Sequence, residues 1–87
     1  MTLTRAQLNL EIKRLIVAEC QKSIAPEAIG DDEILFGPQA PLALDSLDAL
    51  QLAMALQKRF GVRLVDSKET RRVMASVAGL AAYIESR

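Results

Sequence analysis

Histidine and tryptophan are absent from this sequence, cysteine occurs once, and aromatic side chains make up only 3% of it. Without histidine no Ser-His or Cys-His nucleophile pair can be assembled, and with a single cysteine there is no ordinary zinc site. Most small-hydrolase chemistry ends there. The lone Cys20 has no disulfide partner, which suits a reducing intracellular compartment, and on a helix it reads as a small buried hydrophobe rather than a reactive thiol. Neither sign of charge predominates: 11 basic and 11 acidic residues cancel, so no global field draws the chain to nucleic acid or to an anionic membrane. No apolar run approaches the roughly 20 residues that span a bilayer. The opening Met1-Thr2-Leu3-Thr4-Arg5 lacks the apolar stretch of a secretory signal, so the expected location is the cytoplasm.

What is present is aliphatic. Half of the 87 residues are apolar, and with so few rings the core must be built from Leu, Ile, Val, Ala and Met, which suits packed helices. The expectation is an all-α bundle forming one domain over residues 1–87, with one core and one surface site. Thr4 followed by Gln7 is a capping-box pattern, and Leu8, Ile12, Leu15 and Ile16 then recur at helical spacing, predicting a first helix from about Arg5 to Lys22. From Ser23 to Leu44 the chain carries Pro26, Gly30, Gly37, Pro38 and Pro41 among aperiodic apolar residues, which reads as a long loop anchored inward by Ile34, Leu35 and Phe36. Asp45 caps a second helix from Ser46 to Phe60, stopped by Gly61. Asp66 or Ser67 starts a short basic third helix toward Met74. Ser76 caps a last one in which Val77, Leu80, Ala81 and Ile84 share a face, closed by Arg87.

Ser46 holds the chemical interest. It lies in the first turn of the second helix, where backbone N–H groups without carbonyl partners give a partial positive charge, so a phosphate ester there is favourably placed. Asp45 and Asp48 flank the hydroxyl with carboxylates suited to a divalent ion carried by a modifying enzyme, and nothing nearby makes the serine a nucleophile by itself. The plainer reading is a helix start, because Asp and Ser are common there for capping alone.

The wider tract Leu42-Ala43-Leu44-Asp45-Ser46-Leu47-Asp48-Ala49-Leu50, followed by Leu52, Met54-Ala55-Leu56 and Phe60-Gly61-Val62, closely resembles the acyl carrier proteins. The resemblance extends over nearly all of the chain. It implies an acyl-carrier-like four-helix bundle with a long first loop and a short third helix. It also implies a non-catalytic carrier in which a phosphopantetheinyl transferase, using coenzyme A and magnesium, attaches 4′-phosphopantetheine covalently to Ser46. The enzymes served would be of acyltransferase, ketosynthase, ketoreductase and dehydratase type, in fatty acid or polyketide-type biosynthesis, and the default state is a monomer.

At about 100° per residue, Ala49, Leu52, Leu56 and Phe60 fall on one side of the second helix, while Leu47, Gln51, Met54 and Lys58 share the opposite stripe with Leu50 at its edge. With Asp45 and Asp48 these form the expected docking face, although scattered exposed hydrophobes are common on any surface. Many acyl carrier proteins are acidic along this helix. Here those places read Gln51, Gln57, Lys58 and Arg59, and Lys68, Arg71 and Arg72 follow, so partners fitted to a highly acidic carrier should bind poorly. The run Leu56 to Val62 and the basic third segment look like carriers of specialised secondary pathways, such as aryl polyene or type II polyketide-like systems. In the family the acyl chain slides between the second and third helices, which points to Ala49, Ala53, Leu56, Leu64, Val65, Val73 and Met74, each equally readable as ordinary core.

Two alternatives stand beside this reading. A free-standing peptidyl or aminoacyl carrier would share the fold, the serine and the arm. A helical adaptor or DNA-binding bundle would use Ser46 only as a cap and Leu47 and Met54 to bind another protein; the basic third segment favours it, and the lack of a helix with base-reading Asn, Gln and Arg together weighs against its DNA form.

Overall fold

The computed structural model describes residues 3–64 and 67–86. Its α-helices are α1 (Arg5–Glu19), α2 (Ser46–Phe60), α3 (Ser67–Val73) and α4 (Val77–Glu85), and a single 3-10 turn, Pro26–Ala28, interrupts the long first loop. The fold is an all-helical bundle. Among the described residues there is no strand, only an isolated parallel bridge between Phe36 and Leu44.

The starts of α1, α2 and α4 are written in their capping residues. The Thr4 hydroxyl accepts from the Gln7 N–H at 3.1 Å while the Gln7 side-chain carbonyl accepts from the Thr4 N–H at 2.9 Å, so two otherwise orphaned donors are satisfied at once. Ser76 caps α4 by accepting from the Gly79 N–H at 3.1 Å. The end of α1 differs from expectation: it stops at Glu19 instead of reaching Lys22. Gln21 takes a left-handed φ of 53°, and the Lys22 N–H reaches back to the Val17 carbonyl at 3.0 Å, the geometry that usually employs glycine to close a helix.

Helix α1 packs against both α2 and α4, and α3 against α4. Leu8, Ile12 and Ile16 of α1, Leu52 and Leu56 of α2, and Val77, Leu80 and Ala81 of α4 are buried together. At about 1.5–3 kcal/mol for each fully buried Leu, Ile or Val, this aliphatic cluster makes up for the missing aromatics. The expected capping role of Asp66 and the closing role of Arg87 lie outside the described residues.

The long loop is part of that core. Ile29, Leu35, Leu42 and Leu44 are buried, the Leu35 N–H donates to the Ala75 carbonyl at 3.1 Å, and the Ala78 N–H donates to the Asp31 carbonyl at 2.8 Å. These bonds lash the loop to the α3–α4 junction. Of the three expected inward anchors, Leu35 is fully buried and Phe36 is half-buried, but Ile34 is 66% exposed. The reason is local: neighbouring side chains of an extended segment point to opposite sides, so Ile34 and Leu35 cannot both face inward. The junction itself is tight at Gly79, where a Cβ would lie 2.8 Å from the Val73 carbonyl oxygen.

Candidate functional site

The start of α2 is held from two directions. The Leu44 N–H donates to the Leu35 carbonyl at 3.1 Å and the Gly37 N–H donates to the Leu44 carbonyl at 3.2 Å, so the loop is stitched to itself one residue before the cap. Ala43 adopts a left-handed φ of 49° to make that turn. Asp45 then closes a reciprocal box with Asp48: each carboxylate accepts from the other residue's backbone N–H at 3.0 Å. The Asp48 N–H, seconded by that of Leu47, holds the Asp45 carboxyl below its ordinary pKa, because these donors favour the charged form.

This arrangement separates two roles that the sequence leaves tied. Capping of α2 is done by Asp45, with Asp48 as its counterpart. Ser46 is exposed, and its hydroxyl has no hydrogen-bond partner among the described residues. Each neighbouring carboxylate accepts from a backbone N–H, and neither is bonded to the serine hydroxyl. Among the described residues no cluster of three or more His, Cys, Asp or Glu could hold a metal ion. Cys20 is buried, and desolvation, followed by the nearby Asp48 carboxylate, pushes its thiol up to about 11, far from a reactive thiolate.

Ser46 stands at the edge of a cleft of about 420 Å³ between α2, α3 and the loop. Its apolar walls come from Ile34, Phe36 and Leu44 of the loop, Ala49 of α2, and Met74 and Ala75 after α3; among the described residues, Asp45 and Arg71 are the charged ones that line it. Of the positions expected around an acyl chain, Ala49 and Met74 line this cleft, Leu56 and Val73 lie inside the core, and Ala53 and Leu64 pack against it. Val65 lies outside the described residues. The loop walls were not legible in the sequence because their apolar residues have no period that assigns them a face.

On the outer side of α2, Leu47, Leu50 and Met54 are 62%, 58% and 59% exposed. A second groove, of about 350 Å³, runs beside them and is lined by Gln51, Met54, Ala55 and Lys58 of α2 with Ala18, Glu19 and Gln21 from the end of α1. Its α1 wall depends on where that helix stops, which the periodic pattern overran. Arg59 is turned away from the face into an ion pair with Glu11.

A family profile described as "Phosphopantetheine attachment site" matches residues 11–84. Among curated proteins, an acyl carrier protein of Campylobacter hominis is 33% identical over 76 residues, covering 87% of either chain. An acyl carrier protein of Campylobacter fetus subsp. fetus is 32% identical over 75 residues, covering 86% of this chain and 88% of its own. The chain belongs to the acyl carrier protein family. Members of this family are carriers and not catalysts, their prosthetic group is 4′-phosphopantetheine, and they are loaded by a phosphopantetheinyl transferase and serve biosynthetic enzymes.

The residues present fit that group. An exposed hydroxyl with no hydrogen bond among the described residues, on the first turn of a helix whose cap is supplied by another residue, suits a phosphate ester, which would break no interaction among those residues. The cleft beside it offers apolar walls. Once attached, the group supplies a terminal thiol that holds cargo as a thioester. Among the described residues no helix is long and apolar enough to cross a membrane.

Proposed function

We propose that Ser46 carries the 4′-phosphopantetheine arm and that the chain presents acyl intermediates to a dedicated set of enzymes, of acyltransferase, ketosynthase, ketoreductase and dehydratase type, in a specialised fatty acid or polyketide-type pathway of the cytoplasm. The observation that carries this reading is the division of labour at the start of α2, where Asp45 caps the helix and leaves the exposed Ser46 hydroxyl uncommitted. The cleft lined by Ala49, Met74, Ile34, Phe36 and Leu44 shelters an acyl chain, in place of the deeper core positions Leu56 and Val73. Leu47, Leu50 and Met54, bordered by Asp45, Asp48, Gln51 and Lys58, form the docking face, where large exposed apolar side chains gain by seating in partner pockets. The specialised assignment rests on the replacement of acidic by neutral and basic side chains along α2 and α3.

Intact mass after coexpression with a broad-specificity phosphopantetheinyl transferase tests the attachment site. The native chain gains a phosphopantetheine-sized increment and Ser46→Ala does not. A native chain left unmodified by a transferase that loads a control carrier sends the function to an unmodified helical adaptor. Loading of the holo form with acyl or aminoacyl groups by purified acyltransferases or adenylating enzymes separates the two carrier classes.

A further inference from the structure

Attachment at Ser46 creates an electrostatic problem. A phosphodiester brings a permanent negative charge next to Asp45, whose carboxyl is kept ionised by its amide donors, and two residues from Asp48. The α2 N-terminus offers roughly half a positive charge, and both carboxylates already draw on it. Lys22 already helps hold Asp45 ionised but does not line the cleft, so a third anion at this spot calls for a further cation on the cleft side. The cleft that Ser46 borders has a single cation among its described lining residues, Arg71 of α3, in walls that are otherwise mostly apolar.

Arg71 is also unengaged. Arg5, Lys13, Arg14 and Arg59 form ion pairs with Glu85, Asp31, Glu11 and Glu11 respectively, whereas Arg71 has no hydrogen bond or ion pair among the described residues. Its place is set by the buried Val73 and Met74 that follow it, which fix α3 against the core and leave Arg71 exposed at the cleft. The next residue, Arg72, is exposed as well but does not line the cleft, so the pair offers a cation at the site and a matched cation away from it. A guanidinium is well suited to this contact, being always charged and planar, with forked donors that match the geometry of phosphate oxygens.

We propose that Arg71 is a positioning residue for the prosthetic arm, its guanidinium binding the phosphodiester at Ser46 and laying the arm along the cleft between α2 and α3. The inference rests on Ser46 being the point of attachment. It gives the basic α3 a role inside the carrier, where the sequence suggested a change of partners or an adaptor or DNA-binding surface.

The test uses full-length native chain, Arg71→Gln and Arg72→Gln, each as apo protein and as holo protein driven to complete loading, with intact mass confirming the state. The readouts are the arginine Nε–Hε resonances and the phosphorus-31 resonance of the phosphodiester. On conversion to the holo form the Arg71 Nε–Hε signal shifts and that of Arg72 stays. The phosphorus signal of holo Arg71→Gln is displaced from native, that of Arg72→Gln coincides with native, and the displacement shrinks in ~1 M salt, where the screening length is about 3 Å. Coincident phosphorus signals in native and Arg71→Gln, with no movement of the Arg71 resonance, would overturn the proposal. In that case a normal mass increment leaves Ser46 as the attachment point, whereas an unloaded native chain removes the attachment reading and the arm contact with it.

Discussion

Exchanging alanine into Asp45 and into Ser46 asks the same fold two different questions. Asp45 accepts from the Asp48 N–H at 3.0 Å and is bonded in return at its own N–H by the Asp48 carboxylate, also at 3.0 Å, so Asp45→Ala opens the box and orphans a donor in the first turn of α2. For a domain of this size the loss of such a cap lowers Tm by on the order of 5 °C. Ser46→Ala removes a hydroxyl without a partner among the described residues and puts the better helix former at the first helical position, so Tm stays within about 2 °C of native or rises. Thermal unfolding by circular dichroism at pH 7 reads the difference directly. A pH series adds a signed check. The folded Asp45 carboxyl titrates below its ordinary value, so the cap's contribution is fully present above about pH 5 and is lost as pH falls below about 3.9 through the folded pKa. The Tm gap between native and Asp45→Ala therefore closes in acid. If Ser46→Ala destabilises as much as Asp45→Ala, the hydroxyl is the cap and the reasoning from an uncommitted serine fails.

Gly79→Ala asks whether the α3–α4 junction is as close as it looks: alanine favours a helix by about 1 kcal/mol over glycine, but here its Cβ meets the Val73 carbonyl oxygen at 2.8 Å, a backbone atom that cannot rotate away. Stability in urea should fall by about 1–3 kcal/mol, and a gain would show that the junction has room. Cys20, its thiol pushed up to about 11, should react with iodoacetamide at pH 8 on the order of a hundredfold more slowly in the native chain than in denaturant. Because that folded pKa is raised, the stability linked to the neutral thiol is complete below the unfolded value near pH 8.5 and declines as pH rises toward 11; equal alkylation rates in the two states would contradict the burial.

What the sequence displayed well is what local chemistry dictates. Thr4, Asp45 and Ser76 each announce a helix start through a side chain that reaches an N–H three residues on, and Gly61, with its φ of 73°, announces a stop. The periodic apolar positions Leu8, Ile12, Ile16, Leu52 and Leu56 are buried for the same reason: 3.6 residues per turn leaves them no other shared face. Gln21 shows the limit. Its left-handed turn ends α1 early, yet glutamine carries no signal for that conformation, so the periodic pattern ran past the helix. The loop shows a second limit, since whether Ile34 or Leu35 faces inward depends on the bond from Leu35 to Ala75, far along the sequence.

The same division runs through the site. Ser46 could be singled out because its neighbours in sequence are also its neighbours in space, held there by one capping box. The cleft could be only in part, through Ala49 and Met74, because Phe36, Arg71 and Ala75 join them from separate segments that meet only after Leu35 and Ala78 have bonded the loop to the α3–α4 junction. Residues read as a basic patch for partners or for nucleic acid then acquire different settings: Arg59 is turned into an ion pair with Glu11, Arg72 stays on the open surface, and Arg71 borders the cleft beside the serine. Three arginines of one sequence character thus have three physical situations, and only the one that shares a cavity with Ser46 is placed to meet the anion that attachment brings.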